Sequence, residues 1–226
     1  MNKVFFAKRS GKRGEIYIYE DIGEGWFGGL TAKAFSDAMR EIGDASALDI
    51  YINSPGGSVF DGVAIYNQIK RFDGEKVIHI DGIAASIASV IAMAGDEIRI
   101  AANGMIMIHD PWGMAIGTAE EMRKTADSLD KIRDTITGTY VAKTGHDAKK
   151  VADWMAAETW MNADEAVELG FADKITEEKT VKAEFTLLSK FNKVPEQLKK
   201  QSKASGALIA RMEMRSKKIC GASTGK

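Results

Sequence analysis

At 226 residues, 45% of them hydrophobic, the chain is long enough to bury a full core as one domain with appendages. The formal charge of −1 is unevenly spread, because residues 189–226 hold ten Lys or Arg against two Glu and carry +8 while the rest carries −9. A basic terminal stretch of this kind reads as a solvated extension, so a nucleic-acid partner is not expected, and the single Cys220 excludes an intramolecular disulfide. The apolar patch over residues 1–7 is too short for a signal-peptide core, and the longest apolar run, residues 83–94, falls short of the ~20 residues that span a bilayer. A soluble, cytoplasmic protein of a reducing compartment, with no membrane partner, is expected.

Residues 16–19 alternate as a strand, and Thr31 caps a helical run through Phe35, Met39 and Ile42 that stops at Gly43. Residues 48–52 form a short apolar strand. It leads into a turn over 54–57, where Pro55 fixes one dihedral and Gly56 and Gly57 permit conformations closed to other residues. The helix that follows is expected to turn Phe60, Val63, Ala64 and Ile69 inward. Residues 76–81 read as a third strand, 82–86 as a tight connection of small residues, and 86–94 as a helix so apolar that it must be buried. Residues 97–101 and 105–109 add two strands. Strand, turn and helix in repetition favour a parallel, right-handed α/β core with function at the carboxyl ends of its strands.

After Pro111, Met122, Ala126, Leu129, Ile132, Ile136 and Tyr140 recur at steps of three and four, which predicts one long amphipathic helix. Residues 147–156 and 162–169 are shorter helices, Gly170 is a stop, and 171–175 a last short strand. The chain beyond about 178 is polar, basic and weakly periodic. This divides the sequence into a short segment 1–14, a catalytic domain 15–177 and a basic C-terminal extension 178–226.

Three stretches carry the chemistry: Asn53-Ser54-Pro55-Gly56-Gly57, Gly82-Ile83-Ala84-Ala85-Ser86 and Met107-Ile108-His109. A serine hydroxyl is a weak nucleophile until a base takes its proton, and the developing oxyanion is costly unless backbone N–H groups already point at it. The small residues Gly82, Ala84 and Ala85 before Ser86 allow a turn sharp enough to project its hydroxyl, with a helix behind it aiming free N–H groups forward. The chain has three histidines. His79 lies within a strand and reads as a packed, hydrogen-bonded ring; His146, at a loop-to-helix boundary, reads as exposed; His109 ends a strand where it meets a loop and is the candidate base. Gly57 and Ile87 are the candidate oxyanion donors. A Gly-Gly turn after a buried strand also suits an extended peptide that binds as an added strand, with Gly56, Ser58, Val59, Pro111 and Trp112 as candidate substrate contacts. Asp110 adjoins the histidine and should point away from it on an extended backbone, so the acid that orients the imidazole is sought among residues 153–160. HExxH, CxxC and GxxxxGK[ST] patterns are absent, so no metal, nucleotide or other cofactor is expected.

In this order and at these separations, the three stretches resemble the Clp protease proteolytic subunits; serine, histidine, acid is not the order of α/β-hydrolases, chymotrypsin or subtilisin. The similarity runs from about residue 15 to 175, and the short N-terminal region, Glu158-Thr159-Trp160 and the basic tail are most similar to members that phages and prophages encode for capsid maturation. The resemblance implies an α/β ClpP/crotonase-like fold, Ser86 as nucleophile, His109 as base and Gly57 and Ile87 as oxyanion donors. It places Glu158 where the family has a catalytic aspartate, with Asp153 as the alternative acid. It implies that residues 118–144 form the family's protruding handle helix, joining heptameric rings, stacked in pairs, around a chamber for unfolded polypeptides. A Clp-type ATPase or phage capsid and scaffold proteins are the partners it suggests. Two rival functions remain: a crotonase-type acyl-CoA enzyme on the same fold, and a ring or scaffold protein without catalysis.

Overall fold

Rows of isoleucine build one face of the sheet. Ile16 and Ile18 of β2 (Arg13–Ile18) lie level with Ile50 and Ile52 of β3 (Ala47–Ser54), Ile78 and Ile80 of β4 (Glu75–Ala85), and Ile98 and Ile100 of β5 (Glu97–Ala101), all 1% exposed or less. Each such burial stabilises by about 1.5–3 kcal/mol. The computed structural model describes residues 5–24, 29–179, 187–196 and 198. Within them, β1 (Phe5–Ser10) pairs antiparallel with β2, and β2, β3, β4 and β5 run parallel, followed by β8 (Lys174–Thr176). The opposite face carries an aromatic stack across four strands, in which Phe6, Tyr17, Tyr51 and His79 lie 4.2, 4.4 and 4.5 Å apart in turn. His79 also meets Asp49 at 2.9 Å, the packed ring expected of it.

Strand β4 does not stop at Asp81. The expected tight connection over 82–86 is instead more strand, because β4 changes neighbours: Val77–Ile80 pair with β5, and Ile83–Ala85 pair with β6 (Met105–Ile108). The Asn53 side chain accepts from Ile83 N–H at 3.0 Å, at the irregularity in β3 between Ile52 and Ser54, and so holds the strands where their register shifts. Strand β7 (Thr159–Asn162) closes this wing antiparallel to β6.

Helices α1 (Ala32–Ile42), α2 (Val59–Lys70) and α3 (Ile87–Ala92) join the isoleucine core. The inner face of α2 is only partly the expected one. Ile69 is buried and Val63 packs against the core as expected, but Phe60 is 77% exposed, and Gly62 and Ile65 are buried in its place. Gly62 decides this, since a Cβ there would sit 2.2 Å from Ile87 Cγ1, and only a bare backbone brings α2 this close to α3.

Helix α4 (Ala119–Thr144) starts with a capping box of Thr118 and Glu121 and ends at left-handed Gly145. Its buried residues are Ile136, Thr137 and Tyr140, all in its C-terminal third. The N-terminal part projects, with Met122 exposed, and the loop before it exposes Met114 and Ile116. Helices α5 (Ala148–Ala156) and α6 (Ala163–Glu168) flank β7. His146 is not free as expected: its Nε2 lies 3.1 Å from Leu169 O and its ring packs edge-on to Trp154. The basic extension is also not wholly outside the core. A single 3-10 turn, Leu187–Lys190, and the residues after it fold back so that Leu188 and Val194 are 5% exposed. Cys220 and the tail beyond residue 198 lie outside the described residues.

Candidate active site

Three adjacent strands end at one place. Ser54 pairs with Ala84 across β3 and β4, and Ala85 pairs with Met107 across β4 and β6. The carboxyl ends of these strands therefore deliver Gly57, Ser86 and His109 side by side, with the serine in the middle. Ser86 N–H donates to Met107 O at 2.9 Å, which locks the serine to the strand that leads to His109.

Ser86 adopts φ 55°, ψ −130° and is the N-cap of α3, yet its side chain makes no capping bond. Its Oγ instead lies 2.7 Å from His109 Nε2, within reach for proton transfer. A non-glycine residue in this conformation costs about 1–3 kcal/mol. Among the described residues the non-glycines with positive φ are Ser86 and Glu158, so the backbone strain collects at the two ends of one constellation. Behind the serine, Ser89 Oγ donates to Ser86 O at 2.6 Å and lies 2.8 Å from the hydroxyl of fully buried Tyr140.

The glycine turn is fixed by its neighbour. Ile22 N–H donates to Gly56 O and Ser58 N–H donates to Ile22 O, both at 2.8 Å, bracketing Gly57 on either side. Gly57 has φ +146°, and a Cβ there would lie 2.1 Å from Ile22 O. Gly56 is buried beneath Ser86, and its N–H donates to Ser54 Oγ at 3.2 Å, so it buttresses the serine and does not line the cleft. The N–H of Ile87 opens α3 and has no partner one helical turn back.

A cleft of about 430 Å³ runs past the pair, and Gly57, Ser58, Val59, Pro111 and Trp112 line it as expected substrate contacts would. Leu129 and Ile132 of α4 form another wall. Lys190 and Phe191 also line it, and sequence reading missed both, since a few apolar residues in a basic tail carry no periodicity. Phe191 packs edge-on to His109 at 5.2 Å and to Trp160 at 6.2 Å, while Lys190 Nζ lies 4.7 Å over the Trp112 ring.

Burial pushes the His109 pKa below its usual value, partly offset by the negative charge of Glu158, so the ring is neutral at neutral pH and free to accept a proton. Glu158 does not hydrogen-bond the imidazole. Its Oε2 accepts from Asn192 N–H at 2.8 Å and from Asn192 Nδ2 at 3.1 Å, and its Oε1 accepts from Lys193 N–H at 2.6 Å and Trp160 Nε1 at 3.3 Å. Burial raises the carboxyl pKa, but these four bonds outweigh it and hold the pKa below the ordinary carboxylate range. Asp153 lies on the solvent side of α5, paired with Lys149 at 2.7 Å and away from the cleft. Asp110 buries Oδ1 without a hydrogen-bond partner, and burial raises its pKa. Among the described residues no cluster of His, Cys, Asp and Glu is arranged to hold a metal ion.

A family model for Clp protease matches residues 31–179. The chain belongs to the Clp protease family. That family hydrolyses peptide bonds, and this chain is an enzyme of that class. The chain is 37% identical over 148 residues to the ATP-dependent Clp protease proteolytic subunit 3 of Rhodococcus jostii, covering 65% of this chain and 70% of that one. It is 37% identical over 131 residues to the ATP-dependent Clp protease proteolytic subunit of Bacteroides thetaiotaomicron, covering 57% of this chain and 59% of the relative. A solved ClpP1 variant from Listeria monocytogenes superposes with a TM-score of 0.63 over 74% of this chain and 92% of that one, at 23% identity, which establishes the shared mixed α/β ClpP-like fold.

Proposed function

We propose that the protein is a serine endopeptidase that cleaves unfolded or extended polypeptides through an acyl-enzyme. The carrying observation is the 2.7 Å contact between Ser86 Oγ and His109 Nε2 at the end of a strand whose neighbours present Gly57 and His109. His109 takes the hydroxyl proton as Oγ attacks the scissile carbonyl, and the Gly57 and Ile87 N–H groups receive the oxyanion. Nε2 then protonates the leaving amine, and water, deprotonated by the same nitrogen, hydrolyses the ester. Glu158, the strained carboxylate whose charge reaches His109, is the acid that stabilises the imidazolium. An extended substrate enters along the turn at Gly57 as an added strand.

Catalysis takes place inside an oligomer of heptameric rings, stacked in pairs. The exposed N-terminal part of α4 and the bare Met114 and Ile116 support this, since large apolar side chains fully in water mark a surface that meets another. The setting is the cytoplasm, with a Clp-type ATPase as feeder or, in the phage-type reading, capsid and scaffold proteins as substrates. Among the described residues no helix is long and apolar enough to cross a membrane.

The decisive experiment treats the sized oligomer with a fluorophosphonate and weighs the intact protein. A single adduct on wild type, absent from Ser86→Ala and His109→Ala, supports the assignment; an unlabelled wild-type oligomer counts for the non-catalytic ring. Binding of an acyl-CoA in a thermal-shift assay would favour the crotonase-type alternative.

A further inference from the structure

Residues 187–194 lie across the cleft, and the group that holds them there is the proposed catalytic acid. Leu188 and Val194 are buried at either end, Phe191 stands against His109, and Lys190 sits over Trp112, the far wall of the cleft. Between them Asn192 and Lys193 point backbone N–H groups at Glu158, and Lys193 Nζ donates to Ala157 O. An ionised carboxylate offers about four lone-pair positions. Here four donors fill them: two N–H groups from the chain backbone, the Asn192 amide and the Trp160 indole. Nothing is left with which to accept a bond from the imidazole.

We infer that residues 187–194 are an autoinhibitory strap: Glu158 alternates between clamping the strap over the cleft and orienting His109, so an extended polypeptide and the strap exclude one another. This rests on the serine peptidase reading of the site. It adds that the chain folds with its base shielded by its own Phe191 and its acid engaged elsewhere, and that displacement of the strap frees both at once. The two roles of Glu158 are exclusive for a geometric reason. The residue lies just before β7, and the bonds from Asn192, Lys193 and Trp160 occupy both of its carboxylate oxygens, so it orients the imidazole only when the strap lets go.

The test removes the clamp without touching the serine, the histidine or the acid. Asn192→Pro combined with Lys193→Pro deletes both backbone donors and the Asn192 amide in the full-length chain. If the strap is open about a tenth of the time, freeing it raises the rate of fluorophosphonate labelling about tenfold. Docking is read separately, in a Ser86→Ala background, as the rate of tryptic cleavage after Lys190, which should rise in the double-proline variant and in Glu158→Gln. Faster labelling together with faster cleavage supports the strap. Unchanged labelling despite faster cleavage overturns it, because the segment then leaves without uncovering anything. Cleavage unaffected by Glu158→Gln overturns the clamp. If neither form labels at all, the serine chemistry fails and the gate with it, and the tryptic rates still report whether Glu158 holds the segment.

Discussion

Replacing Gly57 with alanine separates the backbone of the oxyanion turn from the rest of the fold. The added methyl would lie 2.1 Å from Ile22 O and 3.0 Å from Ile22 C and N, all main-chain atoms that no rotamer change moves. The native φ of +146° adds strain of about 1–3 kcal/mol for a residue with a Cβ. Relief requires the turn to part from Ile22, losing one or both of its 2.8 Å hydrogen bonds at about 1 kcal/mol each. The sum, about 2–5 kcal/mol, lowers the melting temperature by on the order of 10 °C for a chain of this size. Because the Gly57 N–H moves with the turn, the labelling rate of Ser86 should fall a further 100- to 1,000-fold, or roughly 2.7–4 kcal/mol, the usual loss for one oxyanion donor. Gly145→Ala is the control: its φ is +73° and nothing lies within 4 Å of the added methyl, so it should cost stability through strain alone and leave labelling intact. Melting by circular dichroism, and labelling by intact mass well below the melting range, separate the two effects. Labelling at the wild-type rate in folded Gly57→Ala refutes the assignment of Gly57 as a donor.

The pH profile of labelling carries the next test. His109 acts as base when neutral and its pKa is lowered by burial, so the rate should fall only as pH drops below 6.5, the ordinary value; Phe191→Ala, which uncovers the ring, should move that limb upward. A limb at or above the ordinary histidine value in wild type would contradict the buried base. Tyr140→Phe should cost about 1 kcal/mol by denaturant unfolding with little change in labelling, since Ser89 keeps its bond to Ser86 O. Ser89→Ala should cost about 1–3 kcal/mol, because it strands the buried Tyr140 hydroxyl and frees the carbonyl behind the nucleophile.

Ser86 and His109 stand out in the sequence because each sits at a change of local pattern, small residues giving way to a helix and an apolar strand giving way to a loop. Helix α4 was equally visible, since twenty-six residues sustain their period long enough to be read and both of its caps are conventional. The course of β4 was not legible: Gly82 to Ala85 have the composition of a turn, and only the partner β6, with Asn53 holding Ile83, makes them a strand. On α2 the inward face was misjudged at Phe60 because Gly62, with no side chain, contributes nothing to a hydrophobic period yet marks the closest approach to α3. Glu158 is proposed through resemblance, and its occupation by Asn192 and Lys193 depends on backbone N–H groups, which every residue except proline carries and which composition therefore cannot reveal. Strand β1 escaped because its burial is only partial and its stabilisation comes from Phe6 stacking on Tyr17.

The proposed nucleophile, base and oxyanion turn all hang from the carboxyl ends of three neighbouring strands joined by main-chain ladders, whereas the walls of the cleft come from α4, the loop at Trp112 and the fold-back at Phe191. Reaction geometry and substrate choice are thereby lodged in different parts of the polypeptide. On the proposed reading, a designer can exchange Trp112 or Leu129 to suit another peptide and leave untouched the spacing between Ser86 and His109.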